Sequence, residues 1–289
     1  MAVAALRPRR LRVHARAGHR GRAGRGGGVS RVRLAEALAV VTGAGSGIGA
    51  ATARRFTAAG ATVIGVDLDG DAVAEVCGAS SSYVCDVADR AAVEELADRI
   101  AADHGDVDVL VNNAGVGVYG PFLDASLDDW DWLVSINLDG VAYGCAAFGR
   151  GMVERGRGQV VNVASGAAYI PNRNMAAYCA TKSAVVALSQ CLRADWRGSG
   201  VGVSVVCPGV ISTPIARATR YVGREAHKAD RGAALLARGH SPDLVAKAIA
   251  DCVKRNRDVV PVGFESTLAY KLLRGAPQPI QGLVARGAI

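Results

Sequence analysis

Residues 42–49 read Thr42-Gly43-Ala44-Gly45-Ser46-Gly47-Ile48-Gly49, set between an apolar run at Leu38–Thr42 and a helix-like stretch at Ile48–Ala59. Glycine lets a backbone turn tightly and come close to a ligand. The helix that follows presents free N–H groups and a partial positive charge to an anion. A glycine cluster alone is a weak signal, because flexible loops are also glycine-rich. With a strand before it and a helix after it, the cluster reads as a phosphate cradle whose candidate contacts are Thr42, Gly43, Gly45, Ser46, Gly47, Ile48 and Gly49.

Outward from this stretch the texture alternates. Strand-like runs occur at Leu38–Thr42, Thr62–Asp67, Ser82–Cys85, Val107–Val111, Gln159–Val163, Val201–Val206 and Asp258–Pro261. Helix-like stretches lie at Ile48–Ala59, Arg90–His104, Asp128–Glu154, Met175–Arg197 and Asp243–Asn256, and Ser126 with Asp129 resembles a capping pair opening the third of them. Strand–helix alternation argues for an α/β fold: a single Rossmann-like, doubly wound parallel sheet of about seven strands with helices on both faces. Such sheets bind ligands beyond the carboxyl ends of their strands. The second strand ends at Asp67, 24 residues after Gly43, where a carboxylate can accept hydrogen bonds from the adenosine ribose of a dinucleotide. It would repel a 2′-phosphate, and no Arg or Lys stands at Ser46 or Leu68 to attract one, so NAD is favoured over NADP. The competing reading is that Asp67 only caps a turn with Asp69 and Gly70.

The chain has 289 residues, half of them hydrophobic, and a formal net charge of +8. The excess is local. Residues 1–33 hold ten arginines and no acid, and the remaining 24 basic side chains face 26 acids. A basic surface for nucleic acid is therefore not implied by the total, and no nucleic-acid partner is expected. Residues 1–33 show no apolar period and read as a disordered Arg/Gly-rich extension; residues 34–262 read as the folded domain, and 263–289 as a partly helical tail. A nucleic-acid arm, a transit-type leader and a start site set too early compete for the extension. Arg outnumbers Lys 29 to 5, a mark of GC-rich coding in which chance upstream frames are common, and the inert reading is favoured. No apolar run reaches the roughly 18 residues that span a bilayer. Seven cysteines without a CxxC pair fit reduced, mostly buried thiols better than a disulfide frame or a metal site, so no metal and a cytoplasmic setting are expected.

Tyr178 and Lys182 are four apart in a helix-like stretch and share a face. A phenol with a pKa near 10 is a poor base at neutral pH. An ammonium ~4 Å away at an effective dielectric of ~20 contributes about 4 kcal/mol, enough to bring that value to about 7. The spacing suits general acid–base work, although Tyr and Lys at this separation are most often a solvated helix face.

At Thr42–Gly49, Asn112-Asn113-Ala114-Gly115 and Tyr178-Cys179-Ala180-Thr181-Lys182 the chain resembles the short-chain dehydrogenase/reductase family in its main, non-extended branch, from about residue 34 to about 261. Ser165, 13 residues before Tyr178, Asn137 in Ile136-Asn137-Leu138-Asp139-Gly140, and Pro208-Gly209-Val210-Ile211-Ser212-Thr213 fit the same pattern. The resemblance implies that Tyr178 gives or takes the substrate's hydroxyl proton, that Lys182 lowers its pKa and holds the nicotinamide ribose, and that Ser165 polarises the substrate oxygen. It implies that Asn137 anchors a water continuing the proton path. It places Asp67 and Leu68 at the ribose, Asp86 and Val87 at the adenine, and Asn113, Ala114 and Gly115 beside the adenosine ribose. Pro208, Gly209, Val210 and Thr213 border the nicotinamide. The hydride chemistry belongs to the cofactor. The expected activity is NAD(H)-dependent oxidoreduction of a secondary alcohol or ketone. A dinucleotide sensor without turnover is the alternative, disfavoured because a sensor needs no proton relay.

Plainer roles compete at two of these positions. Asn137 could only tie a kinked helix to a strand, and Ser165 could only cap the segment after it; Asn112 and Asn113 are expected to brace the central sheet whatever the chemistry. Substrate choice is expected in Thr213–His240, a lid with Tyr221 facing the ligand, and in Gly117–Ser126. The tail from Phe264 is expected to pack on its own domain or on a partner subunit rather than on a membrane. Assembly as a homodimer or homotetramer is expected through Asp128–Glu154 and Met175–Arg197.

Overall fold

The apolar runs become strands because their residues are buried on both faces, as a parallel sheet covered by helices on each side demands. In the computed structural model, which describes residues 32–273, β1 (Leu38–Thr42), β2 (Thr62–Asp67), β3 (Ser82–Val84), β4 (Val109–Asn112), β6 (Gly158–Val163), β7 (Val201–Pro208) and β9 (Val259–Val262) form one sheet. Its order is β3-β2-β1-β4-β6-β7-β9, and every pairing is parallel. Two three-residue strands, β5 (Gly117–Tyr119) and β8 (Thr219–Tyr221), make a separate parallel ribbon. The doubly wound sheet of seven strands is the architecture that the alternation predicts.

The period-2 alternation of side chains sends each strand into two cores. Ala39 and Val41 of β1 join Phe56 of α1 (Gly47–Ala58), Val73 of α2 (Gly70–Cys77) and Ile249 of α8 (Pro242–Arg255) on one face. Val40 joins Ile100 of α3 (Arg90–Asp103), Met152 of α5 (Gly140–Arg155) and Val185 of α6 (Ala176–Asp195) on the other. The remaining helices are α4 (Leu127–Val134), α7 (Ala229–Leu236) and α9 (Phe264–Leu273).

Two features depart from expectation. The helix expected over Asp128–Glu154 is two helices, α4 and α5, joined by a π-helical turn at Ser135–Asp139. Helix α2 forms where a turn is read, because Asp69 accepts the Ala72 N–H and caps it. Val32 is buried in the first core, and Ser266 and Ala269 of α9 are buried as well. The expectations for residues 1–31 and 274–289 lie outside the described residues. Among the described residues no helix is long and apolar enough to cross a membrane.

Candidate active site

The chain leaves β1 into the glycine loop with Gly47 in the left-handed region (φ 51°). At Gly49 the backbone passes so close to the Gly43 carbonyl that a Cβ would collide with it and lie 2.7 Å from Asn113 Nδ2. Asn113 donates from Nδ2 to the carbonyls of Thr42 (2.9 Å) and Gly43 (3.2 Å). Thr42 Oγ1 in turn accepts the N–H groups of Asn113 (3.0 Å) and Ala114 (3.1 Å), which locks the loop to the end of β4. Ser46 stands at the N-cap of α1 without a side-chain bond to the helix, and no acid occupies the first turn. The first N–H groups of α1 are thus left uncapped at the positive end of a 12-residue helix, which is the donor set a pyrophosphate fits.

Asp67 is turned to this loop. Its Oδ2 accepts the Gly45 N–H at 2.8 Å, while Oδ1 accepts the Asp69 N–H at 3.2 Å. The turn to Asp69 is present, and the same carboxylate also reaches the glycine loop. Leu68 beside it is exposed. Asp86 spends Oδ1 on the Ala88 N–H (2.9 Å), a local turn, and nothing here ties its carboxylate to the glycine loop. Val87 packs on Gly140 and, with Thr42, Asn112, Ala114 and Ile136, lines a narrow recess.

The residues expected to handle the proton meet near the ends of β4 and β6. Tyr178 and Lys182, one turn apart on α6, are both buried, with Lys182 Nζ 5.8 Å from the centre of the Tyr178 ring. The face they share is an inner one, not a solvated one. Lys182 donates to the Val163 carbonyl at 3.3 Å. A Cβ on Gly115 would lie 3.3 Å from Lys182 Nζ and 3.1 Å from Asn137 Oδ1, so a side chain there would press on both groups. Asn137 sits in the π-helical turn, fully buried, accepting the Val116 N–H and donating to the Val116 carbonyl, both at 2.9 Å. Its side-chain amide is spent on tying the turn to the chain after β4. Ser165 follows β6, caps the short 3-10 turn at Gly166–Ala168 by accepting the Ala167 N–H (3.2 Å), and also faces the phenol of Tyr178.

The electrostatics differ from the spacing argument. Burial pushes the Tyr178 phenol above its ordinary value, and the Ser165 hydroxyl pulls it only partly back. Burial also lowers Lys182, from 10.5 to about 8. The expected fall of the phenol to about 7 is not what this environment gives, because burial is the largest influence and the Ser165 hydroxyl offsets only part of it.

Behind α6 a chain of buried amides holds the helix to the sheet. Asn112 Nδ2 donates to Asn162 Oδ1 (2.9 Å), Asn162 Nδ2 to Ser189 Oγ (3.0 Å), and Ser189 Oγ to the Val185 carbonyl (2.6 Å). The sequence reading anticipated bracing by Asn112 and Asn113 but not Asn162 or Ser189.

Strand β7 ends at Pro208; Gly209 and Val210 follow it out of the sheet, and Thr213 reaches back to the glycine loop, where a Cβ on Gly47 would lie 3.1 Å from its Cγ2. The segment after Thr213 crosses above Tyr178 through the β5–β8 ribbon. Val118 of β5 packs with Tyr178, Leu133 and Ala177, and Val222 rests against them. Arg220 of β8 clamps the crossing, its guanidinium 3.8 Å from the centre of the Trp132 ring and 2.9 Å from Asp129. Trp130 meets Phe122 edge-on. One polar residue at this end was not anticipated. Glu265 of α9 accepts the Val210 N–H at 2.6 Å, and no local pattern in the tail announces it.

Residues 37–221 match the family model described as short chain dehydrogenase. The chain is 42% identical over 269 residues to a probable oxidoreductase, EphD, of Mycobacterium tuberculosis, covering 88% of this chain and 45% of that protein. It thus spans less than half the length of that relative. It is 41% identical over 210 residues to the D-threitol dehydrogenase of Mycolicibacterium smegmatis, covering 70% of this chain and 78% of that one. Among solved structures it is similar to a short chain dehydrogenase/reductase from Burkholderia phymatum in complex with NAD, with a TM-score of 0.77, 30% identity, and coverage of 84% and 93% of the two chains.

Proposed function

The chain belongs to the short-chain dehydrogenase/reductase family, and from that membership we propose that it is an NAD(H)-dependent oxidoreductase acting on a secondary alcohol or its ketone, with Tyr178 as general acid and base. The observation that carries the proposal is the convergence of Tyr178, Lys182, Ser165 and Asn137 beside a loop of uncapped helix N–H groups. A bound nicotinamide dinucleotide would supply or accept the hydride.

The protein's own part is positioning and proton transfer. The phenol, kept neutral by burial, is a proton donor to a developing alkoxide held against Tyr178 Oη and Ser165 Oγ. In the oxidative direction the phenol first gives up its own proton to solvent, and the phenolate then takes the alcohol proton. Lys182, with a pKa of about 8, is mostly charged at neutral pH and adds positive charge where the phenolate would form. The uncapped first turn of α1 and the glycine loop receive the pyrophosphate. Asp67 accepts from the adenosine ribose and supports NAD over NADP by charge. Asn137, whose side chain is occupied by Val116, would extend the proton path through its main chain and water.

Seven cysteines with no disulfide support a reducing, cytoplasmic setting. The family resemblance carries the further expectation of a homodimer or homotetramer through α5 and α6. The test is a panel of secondary alcohols, polyols and ketones with NAD(H) and NADP(H), followed by nicotinamide absorbance. Turnover with NAD(H) preferred supports the reading. Tight NAD binding with no turnover across the panel would leave a dinucleotide sensor instead.

A further inference from the structure

We infer that Glu265 is a positioning residue that fastens the neck of the substrate lid, an inference that rests on the proposed function only in taking 211–240 as that lid. The chain leaves the sheet at Pro208, runs out through Val210 and returns at His240 to begin α8. The outgoing and returning segments are already paired. His240 N–H donates to the Val210 carbonyl and Ser212 N–H to the His240 carbonyl, both at 2.9 Å, around a bridge between Ile211 and His240. Gly239 permits the approach, since a Cβ there would lie 2.7 Å from the Val210 oxygen.

Glu265 grips both sides of this neck. Its Oε1 accepts the Val210 N–H at 2.6 Å, and its Oε2 lies 3.1 Å from His240 Nε2. One carboxylate thus satisfies a backbone donor on the way out and a ring nitrogen on the way back. A charged acceptor makes such bonds roughly twice as strong as neutral ones. Burial works against the charge, yet the N–H donors and the imidazole hold the Glu265 carboxyl below its usual range.

The grip is itself anchored. The adjoining Ser266 is fully buried, donates to the Cys207 carbonyl at 2.7 Å, and would meet a Cβ on Gly166, next to Ser165, at 3.2 Å. The first turn of α9 therefore wedges between the Ser165 turn and the loop that carries Val210. Beyond the neck the lid is also held where Ala216 and Glu225 are buried and where Val222 packs on the Tyr178 cluster. Helix α7 buries no side chain, and the far attachment is the β5–β8 ribbon with the Arg220 clamp. The neck thus sets where Val210 and Thr213 stand relative to the glycine loop and Tyr178.

The test uses the full chain with Glu265→Ala, His240→Ala and Glu265→Gln, the last keeping an acceptor for Val210. Two readouts are taken: peptide-resolved hydrogen exchange, which needs no turnover, and steady-state kinetics on the best substrate of the panel. In Glu265→Ala, exchange over 211–240 accelerates about tenfold while β1, β4 and α6 keep their protection, as expected for loss of one charge-assisted bond. KM rises about tenfold, kcat changes less than about twofold, and Glu265→Gln recovers most of both effects. Unchanged lid exchange, or acceleration spread evenly through the sheet, overturns the assignment. Accelerated lid exchange in a protein that turns over no substrate would sustain the neck while removing the enzymatic reading.

Discussion

Replacing Lys182 with Met should make the protein more stable at neutral pH while ending its turnover. The amine is 3% exposed, and burial lowers its pKa from 10.5 to about 8. At about 1.4 kcal/mol per pH unit, that displacement costs the native state about 3 kcal/mol whenever the amine is charged in both states. The sign follows from proton counting. Between about 8 and 10.5 the unfolded chain still holds a proton that the native chain has lost, so stability rises with pH across that window. Below about 8 the full cost is present. At about pH 9.5 less than half of it remains. Met keeps the length without the charge and gives up the 3.3 Å bond to Val163, a loss of about 1 kcal/mol. Lys182→Met should therefore gain about 2 kcal/mol at about pH 7 and almost nothing at about pH 9.5. Urea unfolding with linear extrapolation at the two pH values, under reducing conditions, measures both. A variant less stable than the parent at neutral pH, or a gap that does not shrink in alkali, would refute the burial argument. The exchange of stability for activity is what a charge kept in a core for chemistry implies.

Asp67→Ala should weaken NAD binding and narrow the preference over NADP by at least about tenfold, since one repulsive charge and one ribose acceptor are lost; titrating both cofactors by fluorescence would show it, and an unaltered preference removes Asp67 from the ribose. Gly49→Ala should lower stability by about 2 kcal/mol or more and abolish dinucleotide binding, because the new methyl meets the Gly43 carbonyl and Asn113. Wild-type melting and binding in that variant would mean that the glycine loop has room to spare.

The sheet was legible because its signal is short-range. Each apolar run is bounded by a helix-like stretch, and all seven strands fall within a few residues of where the alternation puts them. The i,i+4 spacing likewise put Tyr178 and Lys182 on one face. The π-helical turn between α4 and α5 was legible only as the kink in the plainer reading of Asn137, because it accompanies the bonds of Asn137 to Val116, 21 residues earlier. Helix α2 was missed because Asp69-Gly70 opens a turn and a helix with the same residues. The direction of the Tyr178 shift was beyond sequence for a different reason: it depends on how much of the chain covers the phenol, and spacing carries no measure of that. Glu265 was hidden by distance, its partners lying 55 and 25 residues away along the chain.

The central claim is that one phenolic proton at position 178 is what the reaction cannot do without. Tyr178→Phe removes that oxygen from a buried site and leaves the glycine loop, Asp67 and the ring packing in place. Single-turnover nicotinamide absorbance, with NADH affinity measured in parallel, should give a rate lower by at least about a thousandfold and a Kd within about threefold of the parent. A phenylalanine variant that still turns over at a substantial fraction of the parental rate would contradict the account.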